Sequence, residues 1–561
     1  MALASLLLSR NLITRSQYDQ AMTEQRTSGH RLDKVLLRLR LIEPDSLMKF
    51  AAEEFSMPVI DLSVTPPDPA ALAALSPKFV ATRSCVPVSL KDGTLVVATS
   101  DPFDGGLSDD LRLATRRAIA LVLTDEDDLR QFIRTHYGVG SATLDELSAG
   151  LPALELQQVD SDEAAEDASV IKLVNDLLLE AVAQRATDIH IEPYERELAV
   201  RYRIDGVLER ISTPPTIQRF AAAIVSRVKI MANLNVAEKR LPQDGRISFR
   251  ASGSSGGARQ ELDLRVSIIP MLFGEGVVIR VLDKSAVQLG LPDLGMPSPV
   301  LTPWMELIGR PHGILLVTGP TGSGKSTTLY ASLNRIAGED LKVITVEDPV
   351  EYHVPGVNQI QVHNKVGLDF AAGMRAILRH DPDVVMIGEI RDKETAQTAV
   401  QASLTGHLVL STLHTNDAAS ATTRLLDIGV EPYLVASSVE GILAQRLVRR
   451  LCDACAVALA IDEHVRASLP ADFPLAETDT LRASRGCRAC RTTGYRGRLG
   501  IYELLRMNDQ TRELIMARVS ANSIAAAGVR DGTLTTLKQD GFAKVKQGST
   551  TMEEVLRAIS G

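Results

Sequence analysis

The stretch GILLVTGPTGSGKSTTLYASLNRI, residues 313 to 336, constrains the fold of this chain more than any other. A glycine, four residues and then Gly-Lys-Ser stand between an apolar strand-like run and a helix-like run, the context a phosphate-binding loop requires. Gly319, Pro320, Thr321, Gly322, Ser323 and Gly324 form the loop, and Thr327 sits in the first helical turn. Gly322 and Gly324 let backbone N–H groups close around phosphates. Lys325 reaches the outer phosphates as a point charge, and the Ser326 hydroxyl is placed to ligate Mg2+. The bland alternative, a glycine-rich turn before a helix, does not account for motif and context together.

Further apolar runs follow at intervals, KVITVED, DVVMIGE and HLVLSTL, with helical stretches between them. That alternation is the signature of a parallel sheet covered on both faces, so the region is predicted to be α/β. DVVMIGE ends on Glu389, and Gly388 occupies the place where many P-loop ATPases carry a first acid. A strand-end acid alone also reads as a helix cap. Here a second pair, Glu347-Asp348, ends KVITV, and two strands delivering carboxylates near phosphates suit activation of a water.

At 561 residues the chain is too long for one core, and three or four domains are expected. Leu3-x-x-x-Leu7, Leu12-Ile13 and Tyr18 recur 29 residues later as Leu32-x-x-x-Leu36, Leu41-Ile42 and Leu47, two copies of a helix pair. Short strands alternating with helices then predict a small α/β unit up to about residue 140. Residues 141–168 carry Asp160, Asp162, Glu163, Glu166 and Asp167 without a basic partner and read as an acidic linker. A second domain spans 169–284, with the surface loop ASGSSGGA inside it. A proline-marked connector over 285–300 leads into the ATPase domain, 301–561.

A net charge of -9 and few aromatics argue against a nucleic-acid translocase, which needs a basic channel. No run approaches the roughly 18 apolar residues that span a bilayer, and the arginine in MALASLLLSR follows the apolar stretch, the reverse of a secretory signal. Four of the five cysteines form Cys452-x-x-Cys455 and Cys487-x-x-Cys490, which suits a reducing compartment. Four thiolates fit tetrahedral zinc. The 31 residues between the pairs, 456 to 486, exceed the usual spacing and leave a redox pair open. Cys85, in CVPVSL, reads as a core residue.

GPTGSGKS, ITVEDPVEYHVPGVNQIQV, DPDVVMIGEIRD and ASLTGHLVLSTLHTND together resemble the boxes of the secretion ATPases of type II secretion and type IV pilus assembly. The resemblance covers residues 170 to 561 well and the rest loosely. It implies a multidomain P-loop NTPase: a RecA-like C-terminal domain, a PAS-like α+β middle domain and a small α/β N-terminal domain. It implies a homohexameric motor using ATP and Mg2+, with Glu347 as general base and Glu389 beside the magnesium. His407 and His414 would sense or position the γ-phosphate, although a lone strand histidine is usually a satisfied core residue. Arg265 and Arg280 would reach the nucleotide across the cleft from the middle domain; their plainer reading is a solvated strand edge. The family also carries a zinc knuckle followed by GYRGRLGIYE, which favours Zn2+ on the four cysteines.

Some pilus-type relatives bind a cyclic dinucleotide through two motifs opening Arg-Leu-Gly. The corresponding positions here read Ala2-Leu3-Ala4 and Arg31-Leu32-Asp33, so that ligand is not expected. The N-terminal domain is expected instead to dock onto the cytoplasmic part of an inner-membrane secretion protein, with an inner-membrane platform protein as a further partner. QASLTGHLV and GVEPYLVASSVEGILAQRLVR look closer to secretion than to pilus members. The expected protein is a cytoplasmic type II secretion ATPase held peripherally at the inner membrane, with a pilus assembly ATPase as the alternative and a nucleotide-gated scaffold as a reading from another class.

Overall fold

The N-terminal repeat folds as two helix pairs. In the computed structural model, which describes residues 3–66, 68–149, 168–251, 260–283, 289–476 and 479–560, the pairs are Leu3–Ser9 with Arg15–Ser28 and Leu32–Arg38 with Pro44–Glu54. Leu7, Leu36, Leu47 and Phe50 close a small core between them. Thr14 starts the second helix with a capping box, its hydroxyl accepting from the Gln17 N–H while the Gln17 carbonyl oxygen accepts from the Thr14 N–H. Strands β1 (Cys85–Lys91), β2 (Thr94–Thr99) and β3 (Ala118–Leu123) follow, β1 antiparallel and β3 parallel to β2. Cys85 is fully buried in this unit, and burial pushes its thiol up to about 12.

The first nine residues of the expected linker over 141–168 belong to a packed helix. Ser141–Ala149 is a helix, with Leu144 buried in the middle domain's core and the Thr143 hydroxyl donating to Asp176 at 3.0 Å. The acidic cluster at 160–167 and residues 252–258 of the loop ASGSSGGA lie outside the described residues.

The middle domain opens with helix Ala168–Ala183 and builds an antiparallel sheet from β4 (Ala186–Pro193), β5 (Leu198–Ile204), β6 (Val207–Arg210), β7 (Gln243–Ala251), β8 (Gln260–Met271) and β9 (Gly274–Asp283). Its order is β6-β5-β4-β9-β8-β7. The alternating pattern of LAVRYRI buries Leu198, Val200, Tyr202 and Ile204, and the Tyr202 hydroxyl donates to the Leu177 carbonyl at 2.7 Å.

The C-terminal domain carries β10 (Gly313–Thr318), β11 (Val343–Glu347), β12 (Val357–Gln361), β13 (Val384–Ile387), β14 (Leu408–Leu413), β15 (Val439–Leu451), β16 (Ala456–Leu459), β17 (Leu481–Ser484), β18 (Tyr495–Arg506) and β19 (Leu534–Thr535). Its large sheet runs β12-β11-β13-β14-β10-β15-β18-β19, parallel as far as β15 and antiparallel beyond. Alternate residues of β10 feed two separate cores. Ile314 and Leu316 pack with helices Phe370–Ile377, Lys393–Leu404 and Ala418–Ile428, while Leu315 and Val317 pack with Ser298–Ile308 and Lys325–Ile336. Burial on both faces is why these strands read as unbroken apolar runs. Trp304 is fully buried in the second core, its indole N–H donating to Ser332 Oγ at 3.1 Å. Strands β16 and β17 form a separate hairpin beside the cysteines.

Candidate active site

The chain leaves β10 through Gly319 and enters helix Lys325–Ile336 from Gly324, whose φ of 89° suits glycine. At Gly319 a Cβ would stand 2.5 Å from the Gln445 carbonyl oxygen. Gln445, on β15, pins both halves of the turn: its Nε2 donates to Ser323 O at 2.7 Å and its Oε1 accepts from Thr328 Oγ1 at 2.7 Å. Lys325 Nζ donates to the carbonyls of Gly319 at 2.8 Å and Pro320 at 3.0 Å. Burial pulls this lysine down to about 8; Glu389 opposes that shift and Arg446 adds to it. Ser326 lies exposed beside Lys325 in the first turn.

Sheet register decides which predicted residues meet. Thr318 of β10 pairs with Leu413 of β14, and Ser411 of β14 pairs with Ile387 of β13. The residues just past these strands, Gly319, His414 and Glu389, therefore emerge at one edge. His414 Nε2 lies 3.3 Å from a Glu389 oxygen, and Arg391 pairs with the other oxygen. Glu347 leaves β11 next to Gly388. A Cβ on Gly388 would meet the Phe370 ring at 3.3 Å and Glu347 Cα at 3.4 Å, a tight fit that the ring would have to accommodate by a small shift.

Glu347 is buried and held on all sides. It accepts from the Tyr330 hydroxyl, from Thr345 Oγ1 at 2.6 Å and from Gln359 Nε2 at 3.0 Å. Burial and the adjoining Glu347 push the Tyr330 phenol well above its ordinary range. The Tyr330 oxygen also accepts from the Glu351 N–H at 3.2 Å. Arg265 donates to Val350 O at 2.8 Å and pairs with the Glu351 carboxylate at 2.8 Å. A chain of hydrogen bonds and backbone thus joins the middle domain to the Glu347 carboxylate.

His407 belongs elsewhere, which corrects its assignment to the γ-phosphate. It precedes β14, and Leu408 pairs with Gly313, the first residue of β10. Five strand rises separate that end from the loop edge, roughly 17 Å. There the His407 ring closes the end of helix Lys393–Leu404, with Nδ1 2.8 Å from Ala402 O and 3.1 Å from Thr405 Oγ1. It lines a surface groove with Arg310, Arg335 and Asp383 on the far side of the sheet. This is a satisfied structural histidine.

Arg280 reaches Asp188 Oδ1 at 3.2 Å and is half exposed, with no contact to the loop. Its position carries more information than its contact. Arg246, Arg265, Arg280, Asp188 and Arg203 are register partners across β7, β8, β9, β4 and β5, so all five lie on one face. Arg246 reaches Gln361 of the C-terminal domain at 3.4 Å. Sequence reading missed Arg246. It also missed Tyr330, Gln445 and Arg446. Arg446 is buried beside the loop and donates to Asn416 O at 2.9 Å; burial lowers its pKa against the pull of Glu503 and Asp417. Polar Gln-Arg inside the apolar strand LAQRLV was the available signal.

The four sulfurs of Cys452, Cys455, Cys487 and Cys490 lie within 4.8 Å of one another. Three of the separations are 3.8, 3.7 and 3.8 Å, against about 3.8 Å for a tetrahedron with zinc–sulfur bonds of about 2.3 Å. The donor set therefore fits zinc. Although burial opposes it, N–H donation from Cys487 and Gly494 brings the Cys490 thiol down to about 7.

The family model for type II/IV secretion system proteins matches residues 163–557. The chain belongs to that family. A second family model, the MshEN domain, matches residues 55–143. The type IV pilus assembly ATPase PilB of Myxococcus xanthus is 43% identical over 99% of this chain and 98% of its own length. Type II secretion system protein E of Xanthomonas campestris is 44% identical over 98% of this chain and 97% of its own length. The protein E of Pectobacterium carotovorum reaches 52% over 71% of this chain and 78% of its own. Among solved structures, the Legionella pneumophila ATPase DotB shares the fold, with a TM-score of 0.50 at 21% identity over 70% of this chain and 96% of that one. Family membership makes the chain an α/β ATPase and gives the P-loop edge its chemical context.

Proposed function

We propose that this protein is the cytoplasmic ATP-hydrolysing motor of a type II secretion system, working as a homohexamer that powers pseudopilus assembly. The observation that carries the reading is the convergence of Lys325, Glu389 and His414 at one sheet edge, with Glu347 on the neighbouring strand tied through Tyr330 and Glu351 to Arg265. A static nucleotide-binding scaffold has no use for a buried carboxylate wired to a second domain.

The loop N–H groups and Lys325 bind the phosphates, and Ser326 with Glu389 would hold Mg2+. When bound, the ion neutralises charge on the outer phosphates. Glu347 takes the proton of the attacking water once the Tyr330 and Gln359 contacts yield a lone pair. Lys325 and His414 hold the γ-phosphate, while Arg265 and Arg280 approach from the arginine-bearing face and offset its developing charge. Movement of Arg265 toward nucleotide would release Glu351, coupling domain closure to the base. Zn2+ on Cys452, Cys455, Cys487 and Cys490 has a structural part only, because all four ligand positions are protein thiolates.

No helix among the described residues is long and apolar enough to cross a membrane. The N-terminal unit is proposed to tether the motor through the cytoplasmic part of an inner-membrane secretion protein, with the platform protein as second contact. Arg31 is committed to Asp33 at 2.8 Å and Asp101 at 2.6 Å, which leaves it poorly placed for a cyclic dinucleotide. Affinity capture of the intact chain from native membranes tests the assignment. Recovery of a bitopic secretion protein supports it. Recovery of pilus-platform components alone moves it to pilus assembly, the role named for PilB, which is 43% identical over 99% of this chain against 44% over 98% for the Xanthomonas protein E.

A further inference from the structure

The cysteine knuckle and the adjoining start of β18 present three arginines to other domains of the same chain. Arg491 donates to Gln184 Oε1 at 2.6 Å and Gln184 O at 3.3 Å, at the end of the middle domain's first helix. Arg498 lies 3.9 Å from Asp205, whose other oxygen accepts from the Gly497 N–H at 2.9 Å. Arg488, held between Cys487 and Cys490, turns instead to the N-terminal unit. It pairs with Asp125, with Asp127 at 2.5 Å and with Asp128 at 3.3 Å.

Those aspartates open the helix Glu126–His136, where Asp125 is the N-cap and accepts from the Asp127 N–H at 2.8 Å. Acids in a first turn are ordinary, since they complement the helix dipole. Three of them converging on one guanidinium from a distant loop are not explained that way. Asp128 is largely buried, and that burial raises its pKa while Arg488 opposes the shift. Within the contact Asp128 is 15% and Asp125 28% exposed, while Asp127 stays open at 71%. The far side of the same unit meets the middle domain, through Arg134 to Glu180 at 3.1 Å and the Val139 N–H to Ser212 O at 2.9 Å.

We propose that the cysteine knuckle is the intrachain dock for the N-terminal unit, with Arg488 as the clamp that holds this unit against the motor domain. The four cysteines fix the backbone on both sides of Arg488, so the knuckle supplies a rigid cation at a junction of three domains. The acidic turn 125–128 is the complementary surface, and a partner binding that turn has to displace Arg488. This inference is independent of which machine the motor drives.

Hydrogen–deuterium exchange on the full-length chain tests it, read at the amides of residues 124–136. Asp127→Arg leaves the knuckle untouched and puts like charges together. It should speed exchange there roughly three- to tenfold, as should Arg488→Asp, with the effect shrinking in high salt. Arg488→Asp combined with Asp127→Arg should cost less than the two single changes added, because opposite charges face each other again. Metal content measured on the same samples reports whether the knuckle is intact; where Arg488→Asp lowers it, Asp127→Arg alone decides. Exchange in Asp127→Arg equal to the unaltered chain, or fully additive effects with the knuckle intact, would overturn the proposal.

Discussion

Lys325 offers the sharpest test of the binding edge, because its charge is poised close to working pH. Burial holds it at about 8, with Glu389 as the one carboxylate opposing that shift. Phosphate binding needs the ammonium form, so ATP should raise the lysine's pKa and draw in a proton. With the free-state value at about 8, the lysine is protonated in roughly one molecule in ten at pH 9, which weakens binding up to about tenfold, or ~1.4 kcal/mol, relative to pH 7. Calorimetric titration of a non-hydrolysable ATP analogue in two buffers of different ionisation enthalpy measures both quantities. Uptake at pH 8.5 should be about three-quarters of a proton. In Glu389→Gln the opposing charge is gone, so the decline in affinity should begin at lower pH. The sign for stability is opposite. Without nucleotide the unfolded chain binds the extra proton between about pH 8 and lysine's ordinary value of 10.5, so the fold should gain stability as pH rises through that window. A dissociation constant flat from pH 7 to pH 9.5 with no proton uptake would refute the placement of Lys325 at the phosphates.

Other expectations concern single side chains. Glu389→Gln should keep ATP binding near neutral pH while steady-state hydrolysis falls by about 100-fold or more; comparable turnover would remove the acid from the catalytic edge. His414→Ala should lower turnover, whereas His407→Ala should leave turnover per folded molecule unchanged and cost about 1 kcal/mol in denaturant unfolding. Tyr330→Phe deprives buried Glu347 of a donor and should cost about 1.5–3 kcal/mol of stability, with a shifted pH–rate profile that a purely structural tyrosine would not produce. Elemental analysis should find one zinc per chain, and Cys487→Ser should lower the yield of folded protein far more than the activity of what folds.

The binding loop was legible because strand, turn and helix are contiguous, and every constraint on them is local. Glu389 and Glu347 were legible for a related reason: each ends an apolar run, and parallel strands deliver their ends to one edge. The same rule explains the failure at His407. It immediately precedes the strand that His414 follows, and the six residues Leu408–Leu413 carry the two histidines to opposite edges of the sheet. Tyr330, Gln445 and Arg446 act through partners on other elements, so no spacing exposed them. The arginine row needed the register of three successive antiparallel strands, which places Arg246, Arg265 and Arg280 side by side. Ser141–Ala149 was read as linker because its helix is weakly patterned; burial of Leu144 against the middle domain gives it a place. The long gap between the cysteine pairs contains the β16–β17 hairpin, where Ala456 pairs with Ser484 and returns the second pair to the first.

The central claim, that ATP turnover at this edge drives type II secretion, is tested most directly in the source bacterium with Lys325→Ala replacing the chromosomal copy. The measurement is the distribution of a secreted enzyme between periplasm and medium, with surface pili scored in the same cells. Folded enzyme accumulating in the periplasm while pili persist is the predicted result. Normal export with pili lost would contradict the claim and assign the motor to pilus assembly.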